Sequence, residues 1–283
     1  MKKILLLGSI LAVLCSGCVK QSGTASAQAS PEGFVKLAIT GTGVNLRPVP
    51  QASGAVVTQA NMGDVFIAEQ WRIENTTEKS QWYRIVFAVK DDGAIVPLHS
   101  ADNRLKAGFF PFVSAKFAQT SPVTLEEDTR IRKIPYYEGN NHGLGSSLPE
   151  IVRTFGPGTV EREFDTEALE SFGVGNLLFT TVNLSGLEAF LFEELDSPHI
   201  IYGKDFILTK PGFVYSGIAI ATPGFDKEAV RKLMRTNWKG LEPDIFMQED
   251  GEHWSYNAEM WNCKFIFNEQ GLVKSYHYYF TTG

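Results

Sequence analysis

The sequence predicts a mainly β and α+β chain: a small β-barrel followed by a module in which a helix and an antiparallel meander occur twice. Three observations carry that expectation. Short runs rich in Val, Ile, Phe, Tyr and Trp, separated by Gly, Pro and Asp, fill residues 34–118, the pattern of a compact all-β unit. Helix signals at 147–155 and 226–235 are each followed by further strand-like runs. Letters in the second half recur at fixed offsets, the mark of a duplicated supersecondary unit. With 43% hydrophobic residues in 283 positions, the chain has material for two or three modest cores.

The first 33 residues stand apart. Met1-Lys2-Lys3 gives a positive start, Ile4 to Cys15 is an apolar run broken only by Gly8 and Ser9, and Ser16-Gly17 precede Cys18. This is a secretory layout. As a helix the apolar run reaches only ~18 Å, short of the ~30 Å hydrocarbon core, so residues 1–17 are expected to be removed as a signal peptide. Ser16, Gly17 and Cys18 resemble the lipobox of bacterial lipoproteins, with Cys15 standing where Leu is usual. The resemblance implies that Cys18 is lipidated and anchors the chain to the membrane, facing the periplasm from the outer membrane if the host has two membranes. Ordinary cleavage after Ala25-Ser26-Ala27 is the alternative. Residues 18–33 then form a lipidated tether of Ser, Ala, Gly and Gln, spanning about 20 Å as a coil.

Removing residues 1–17 takes away two lysines, leaving 24 basic against 32 acidic groups, a formal charge of −8. That balance argues against nucleic acid as a partner and leaves membrane attachment to the acyl chains. Of the three cysteines, Cys15 leaves with the signal, Cys18 takes lipid and Cys263 is alone, so no disulfide is expected. Cys263 lies among Trp261, Phe265 and Phe267 and reads as a small apolar strand residue.

In the barrel, strands are expected at Val35 to Ile39, Val65 to Ala68 and Trp82 to Phe87. Four blocks occur in order: Val44-Asn45-Leu46-Arg47 with Pro50, Met62-Gly63-Asp64-Val65, Trp82-Tyr83-Arg84-Ile85, and Gly108-Phe109-Phe110 through Val113-Ser114 to Phe117. Together they resemble the bacterial SH3-like (SH3b) domain family over residues 34–118. Phe110 stands where that family has Trp, and Asp91 to Lys106 is a polar insertion. The resemblance implies binding of cell-wall peptides or a spacer role. Arg47 and Trp82 are the candidate ligand contacts, with a solvated charge and a core plug as their respective alternatives.

Residues 119–146 read as a connector, charged at 124–134 and rich in Gly and Asn at 135–145. Ser147-Leu148-Pro149-Glu150 then forms a capping box ahead of Ile151, Val152 and Phe155, and Gly156-Pro157-Gly158 stops the helix. Strands follow at 177–182, 187–192, 200–208 and 213–221. Asp226 caps a second helix, 227–235, with Ala229, Val230, Leu233 and Met234 on one face, and strands resume at 254–256, 261–267 and 272–280. Phe206-Ile207, Gly212, Val214, Ser216 and Thr222 recur 59 positions later, while Glu150, Val152 and Arg153 recur 78 later.

A short helix ending in Gly-Pro-Gly, then an aromatic-rich meander, resembles the small outer-membrane assembly lipoproteins and the tandem-repeat β-lactamase inhibitor proteins over residues 147–283. That likeness implies helices on one sheet face and a free face for a protein partner. Trp254 with Tyr256, and Tyr276, Tyr278 and Phe280, alternate onto one face. Trp254, Tyr256 and Tyr278 are therefore candidate contacts if the face is open, and core if helix 227–235 covers it.

No catalytic motif is legible. The histidines at 99, 142, 199, 253 and 277 lack metal-ligand spacing, no G-x-S-x-G or phosphate-loop pattern occurs, and the paired carboxylates are adjacent in sequence. No catalytic residue, metal site or cofactor is expected. The sequence thus points to a non-catalytic cell-envelope lipoprotein that binds a protein or a peptidoglycan component. A wall hydrolase targeted by the barrel, or an inhibitor of a periplasmic enzyme, are the alternatives.

Overall fold

A computed structural model describes residues 33–105, 109–134, 148–156, 158–165, 176–195, 201–210, 223–237, 239–258 and 261–280. The expectations for the signal, Cys18, the tether and a strand at 213–221 lie outside these residues. The protein is mainly β, with a large mixed sheet and four helices among the described residues.

The first half runs β1 (Phe34–Ile39), β2 (Val44–Leu46), β3 (Thr58–Ala60), β4 (Val65–Glu69), β5 (Ile73–Asn75), β6 (Ser80–Val89), β7 (Ile95–Pro97), α1 (Leu98–Ala101), β8 (Phe112–Ser114), β9 (Ala118–Pro122) and α2 (Leu125–Ile131). Strand β6 organises it. One edge of β6 pairs with β5 and then β4, the other with β8 and then β7, so a single strand serves two curved layers. The β2–β3 hairpin joins β8 through a bridge between Arg47 and Phe112. Leu37, Ile39, Val44, Leu46, Tyr83, Ile85 and Val113 fill the space between.

The sequence places a connector at 119–146, but residues 118–131 pack with the barrel. Strand β9 lies antiparallel on β1. Helix α2 opens with a capping box, Thr124 accepting from Glu127 N and the Glu127 carboxylate accepting from Thr124 N. Two orphan amides are thereby satisfied. Ile131 and Val123 then bury against Phe34, Ile67, Val86 and Phe87, an anchorage that the charged letters around them conceal.

The second half contains α3 (Leu148–Phe155), β10 (Gly158–Asp165), β11 (Leu177–Leu184), β12 (Leu187–Glu194), β13 (Ile201–Leu208), α4 (Lys227–Asn237), β14 (Asp244–Gln248), β15 (Gly251–Ala258), β16 (Trp261–Phe267) and β17 (Val273–Phe280). A helix followed by four strands therefore occurs twice. The strand order β14-β15-β16-β17-β13-β12-β11-β10 shows the two meanders abutting through their last members, Leu208 opposite Tyr276 and Asp205 opposite Tyr279. Equivalent elements start 79 residues apart for the helices (148 and 227), and 74 (177 and 251) falling to 72 (201 and 273) for the strands. The helix match at 78 follows this spacing. The match at 59 links β13 with β16, which hold different places in the two sets.

Local chemistry accounts for the element ends. Asp226 accepts from Ala229 N at 2.7 Å, capping α4. Gly251 opens β15 at φ 137°, where a Cβ would stand 2.1 Å from the Phe267 carbonyl oxygen, so only glycine fits that approach.

The two halves share one sheet, because β5 and β10 pair in parallel, Ile73 beside Arg162 and Asn75 beside Phe164. Beneath that pairing Val49, Ile73, Trp82 and Phe112 of the barrel pack against Phe164 and Leu178. Two buried ion pairs cross the same seam, Arg162 with Glu69, and Arg84 with Glu193 at 2.7 Å. Glu193 also stands 3.9 Å from Arg162, so the four groups form one network; opposite charges in equal number make the burial tolerable, and removing one member would leave an excess charge buried.

Candidate binding site in the barrel

Strand β2, the loop after it, the start of β6 and the end of β8 enclose a cavity of about 240 Å³ lined by Arg47, Lys116, Phe117, Trp82, Asn45, Ser80 and Ser114 among others. Each wall follows from the local sequence. Residues alternate across β2, so Val44 and Leu46 are buried while Asn45 faces outward. Arg47, next along, reaches the loop carbonyls of Gly54 and Ala55 through Nη1. Its fork carries further N–H donors. On the facing side the Lys116 ammonium sits 4.8 Å above the Phe117 ring, an arrangement favoured by the ring's negative face. Phe117 and Lys116 are exposed, Arg47 half-buried.

Two cations, two aromatic residues and several hydroxyl and amide groups line the cavity, and the Glu78 carboxylate stands at its margin, accepting from Ala52 N at 2.9 Å and from Ser80 Oγ at 3.3 Å. Such a lining attracts an anion and can hydrogen-bond polar groups beside it.

The structure brings Arg47 and Trp82 to one cavity but gives them different duties. Trp82 is 2% exposed, donates Nε1 to Ser80 Oγ at 2.9 Å, and belongs to the seam between the halves. It is a wall and a core plug, which corrects the expectation of a ligand-stacking surface. Lys116 and Phe117 line the same cavity, and the sequence reading did not single them out as site residues. Phe117 stands in the last motif block, and the adjacent Lys was the available signal.

Trp254, Tyr256 and Tyr278 are each 1% exposed, a correction to their candidacy as contacts. They lie under α3 and α4 in a cluster with Ile151, Val152, Phe155, Val230 and Met234. Arg231 of α4 lies 4.7 Å from the Trp254 ring centre, and Trp254 Nε1 donates to Glu252 at 2.7 Å. The concave aromatic face that the inhibitor reading requires is thus covered. Cys263 is buried in the same cluster, and burial pushes its thiol up to about 12.

The sheet face opposite α3 and α4 carries two polar pairs that bear on the hydrolase alternative, His253 and Ser275 both buried there. His253 Nε2 lies 2.6 Å from Asp250 Oδ1, and Ser275 Oγ lies 3.0 Å from His277 Nε2. They sit on β15 and β17 with β16 between, hence roughly 10 Å apart at the usual strand spacing. Burial first, and then Lys264 directly across the ladder, lower the His277 pKa. Among the described residues, these pairs do not join into a nucleophile, base and orienting carboxylate. Nor, among those residues, do three His, Cys, Asp or Glu side chains gather to hold a metal.

A second cavity, about 450 Å³, lies between the β2–β3 hairpin and β4, floored by Leu46, Phe66, Leu98 and Leu105. At its rim the Arg104 guanidinium, donating to Asp102, holds that carboxyl well below the usual range, with help from Thr58. This locked pair ties α1 to β3.

Comparison with known protein families, curated proteins and solved structures finds no match to this chain.

Proposed function

We propose that the chain is a non-catalytic, lipid-anchored protein of the cell envelope whose barrel binds an anionic component of the cell wall. The carrying observation is the cavity between Arg47 and Lys116, cationic on two sides, with the one carboxylate at its margin, Glu78, held by Ala52 N and Ser80 Oγ. The stem peptides of peptidoglycan present carboxylates beside amides, and both kinds of group find partners in that lining. The N-terminal layout ending at Cys18 supports the compartment, and the order of the four barrel motifs supports the ligand class. The second half, joined through a continuous sheet and buried ion pairs, holds the barrel in a fixed orientation.

Titration with a soluble stem peptide carrying a free terminal carboxylate, against the same peptide amidated, tests the ligand. The free acid binds and the amide binds at least about tenfold more weakly, consistent with the loss of one charged hydrogen bond. Equal binding of both, or of neither, contradicts the assignment. Labelled palmitate entering the wild type and not Cys18→Ser tests the anchor.

A further inference from the structure

The large sheet has two ends among the described residues, β9 and β14, and they are built differently. An exposed edge offers a row of unpaired N–H and C=O groups, and proteins blunt such edges with polar residues, proline or charge. Strand β9 follows that rule with Gln119, Thr120, Ser121 and Pro122. Strand β14 confines polar and charged residues to its ends and leaves its centre apolar: Ile245, Phe246 and Met247 follow one another and are 52%, 37% and 72% exposed. Ile245 lies opposite the buried Trp254 on the helix side of the sheet yet stays half exposed, and on the other side Phe246 leans on the His253 ring at 5.2 Å while keeping part of its own ring in solvent.

The charge around the strand is one-sided. Glu242, Asp244, Glu249 and Asp250 fall within residues 242–250, with no Lys or Arg there, and all four are exposed. Glu242 and Glu249 form no ion pair among the described residues. A second copy pairing antiparallel about Phe246 would set Glu242 against Asp250, and like charges facing across a ladder are destabilising. A strand with basic ends meets opposite charge at both.

We propose that the outer edge of β14 is a strand-addition site for an extended segment of another protein, apolar at alternate positions and flanked by Lys or Arg. Main-chain bonds to the free edge supply affinity, Ile245 and Met247 receive side chains on one face and Phe246 on the other, and the acidic ends select charge and register. The site is separate from the barrel cavity, so its test does not depend on the wall-binding assignment.

The probes are two labelled peptides of alternating Thr and Val, one flanked by Lys pairs and one by Glu pairs, followed by fluorescence anisotropy with the full-length protein. The Lys-flanked peptide binds, at least about tenfold more tightly than the Glu-flanked one, and slows amide exchange in β14. The triple variant Glu242→Lys, Asp244→Lys, Glu249→Lys inverts that preference. These positions are exposed, so the variant keeps the fold, which circular dichroism verifies. Failure of the Lys-flanked peptide to bind, or a preference unmoved by the triple variant, overturns the proposal. So does sedimentation as a dimer whose β14 amides are already protected, which would make the occupant a second copy.

Discussion

The barrel and the helix-plus-meander half use the same letters to opposite ends. Both bury aromatic residues on their strands, Trp82 and Tyr83 side by side on β6 and Trp254 and Tyr256 at alternate positions on β15, yet in the barrel the end of the structure between Arg47 and Lys116 stays open, whereas α3 and α4 close over Trp254, Tyr256 and Tyr278. Alternation decides only which residues share a face. What lies across that face decides whether they bind or pack, and the barrel spends its exposed chemistry on cations rather than on rings.

If that contrast is right, the largest effect belongs to the covered side. Trp254→Ala empties a site packed by Phe267 at a 4.9 Å ring separation and by Arg231. It should cost about 3–5 kcal/mol, read as a lower urea midpoint, with no direct effect on wall binding. Next is the seam. Glu69→Gln leaves the buried Arg162 guanidinium with only the more distant Glu193 carboxylate, at 3.9 Å, which Arg84 already engages, and should cost about 3 kcal/mol. Loss of both halves in one transition supports a shared seam; a barrel that melts separately breaks it.

A smaller, pH-dependent effect follows from Cys263. Burial raises the thiol from its ordinary 9.0 to about 12, the hydrogen bond with Tyr276 opposing weakly. Between those values only the unfolded chain releases the proton. Stability is therefore complete below about pH 9 and is lost as the pH climbs towards 12. Urea midpoints at pH 8 and pH 10.5 should fall more for the wild type than for Cys263→Ala; equal falls would place the thiol in water. The smallest effect is at α2. Thr124→Ala removes the cap on Glu127 N and should cost about 1 kcal/mol, measured by the same unfolding.

Much of this architecture is legible from the letters because its elements are strongly patterned. Strands β4, β6, β11, β12 and β16 and both long helices fall where alternation and capping place them, to within a few residues. The short barrel strands β5, β7 and β9 are invisible in that way, since three to five residues such as Ile95–Pro97 show no period and exist only through pairing with a neighbour. Helix α2 has two buried anchors in a charged stretch. Strand β14 was missed because Ile245-Phe246-Met247 is an unbroken apolar triplet, without the alternation of a half-covered strand. Of the candidate contacts, Arg47 lines the cavity while also tying the loop carbonyls of Gly54 and Ala55. The four aromatics take the core alternative: α4 covers Trp254, Tyr256 and Tyr278 as the sequence allowed, whereas the partner of Trp82, Phe164 on β10, is distant in sequence.

Co-sedimentation with purified cell walls bears most directly on the central assignment. The full-length protein should pellet with walls, and Lys116→Glu, at an exposed position, should leave far more of it in the supernatant while its unfolding curve stays unchanged. Equal pelleting of the two proteins, or no pelleting of either, would contradict the cavity's role as the wall-binding site.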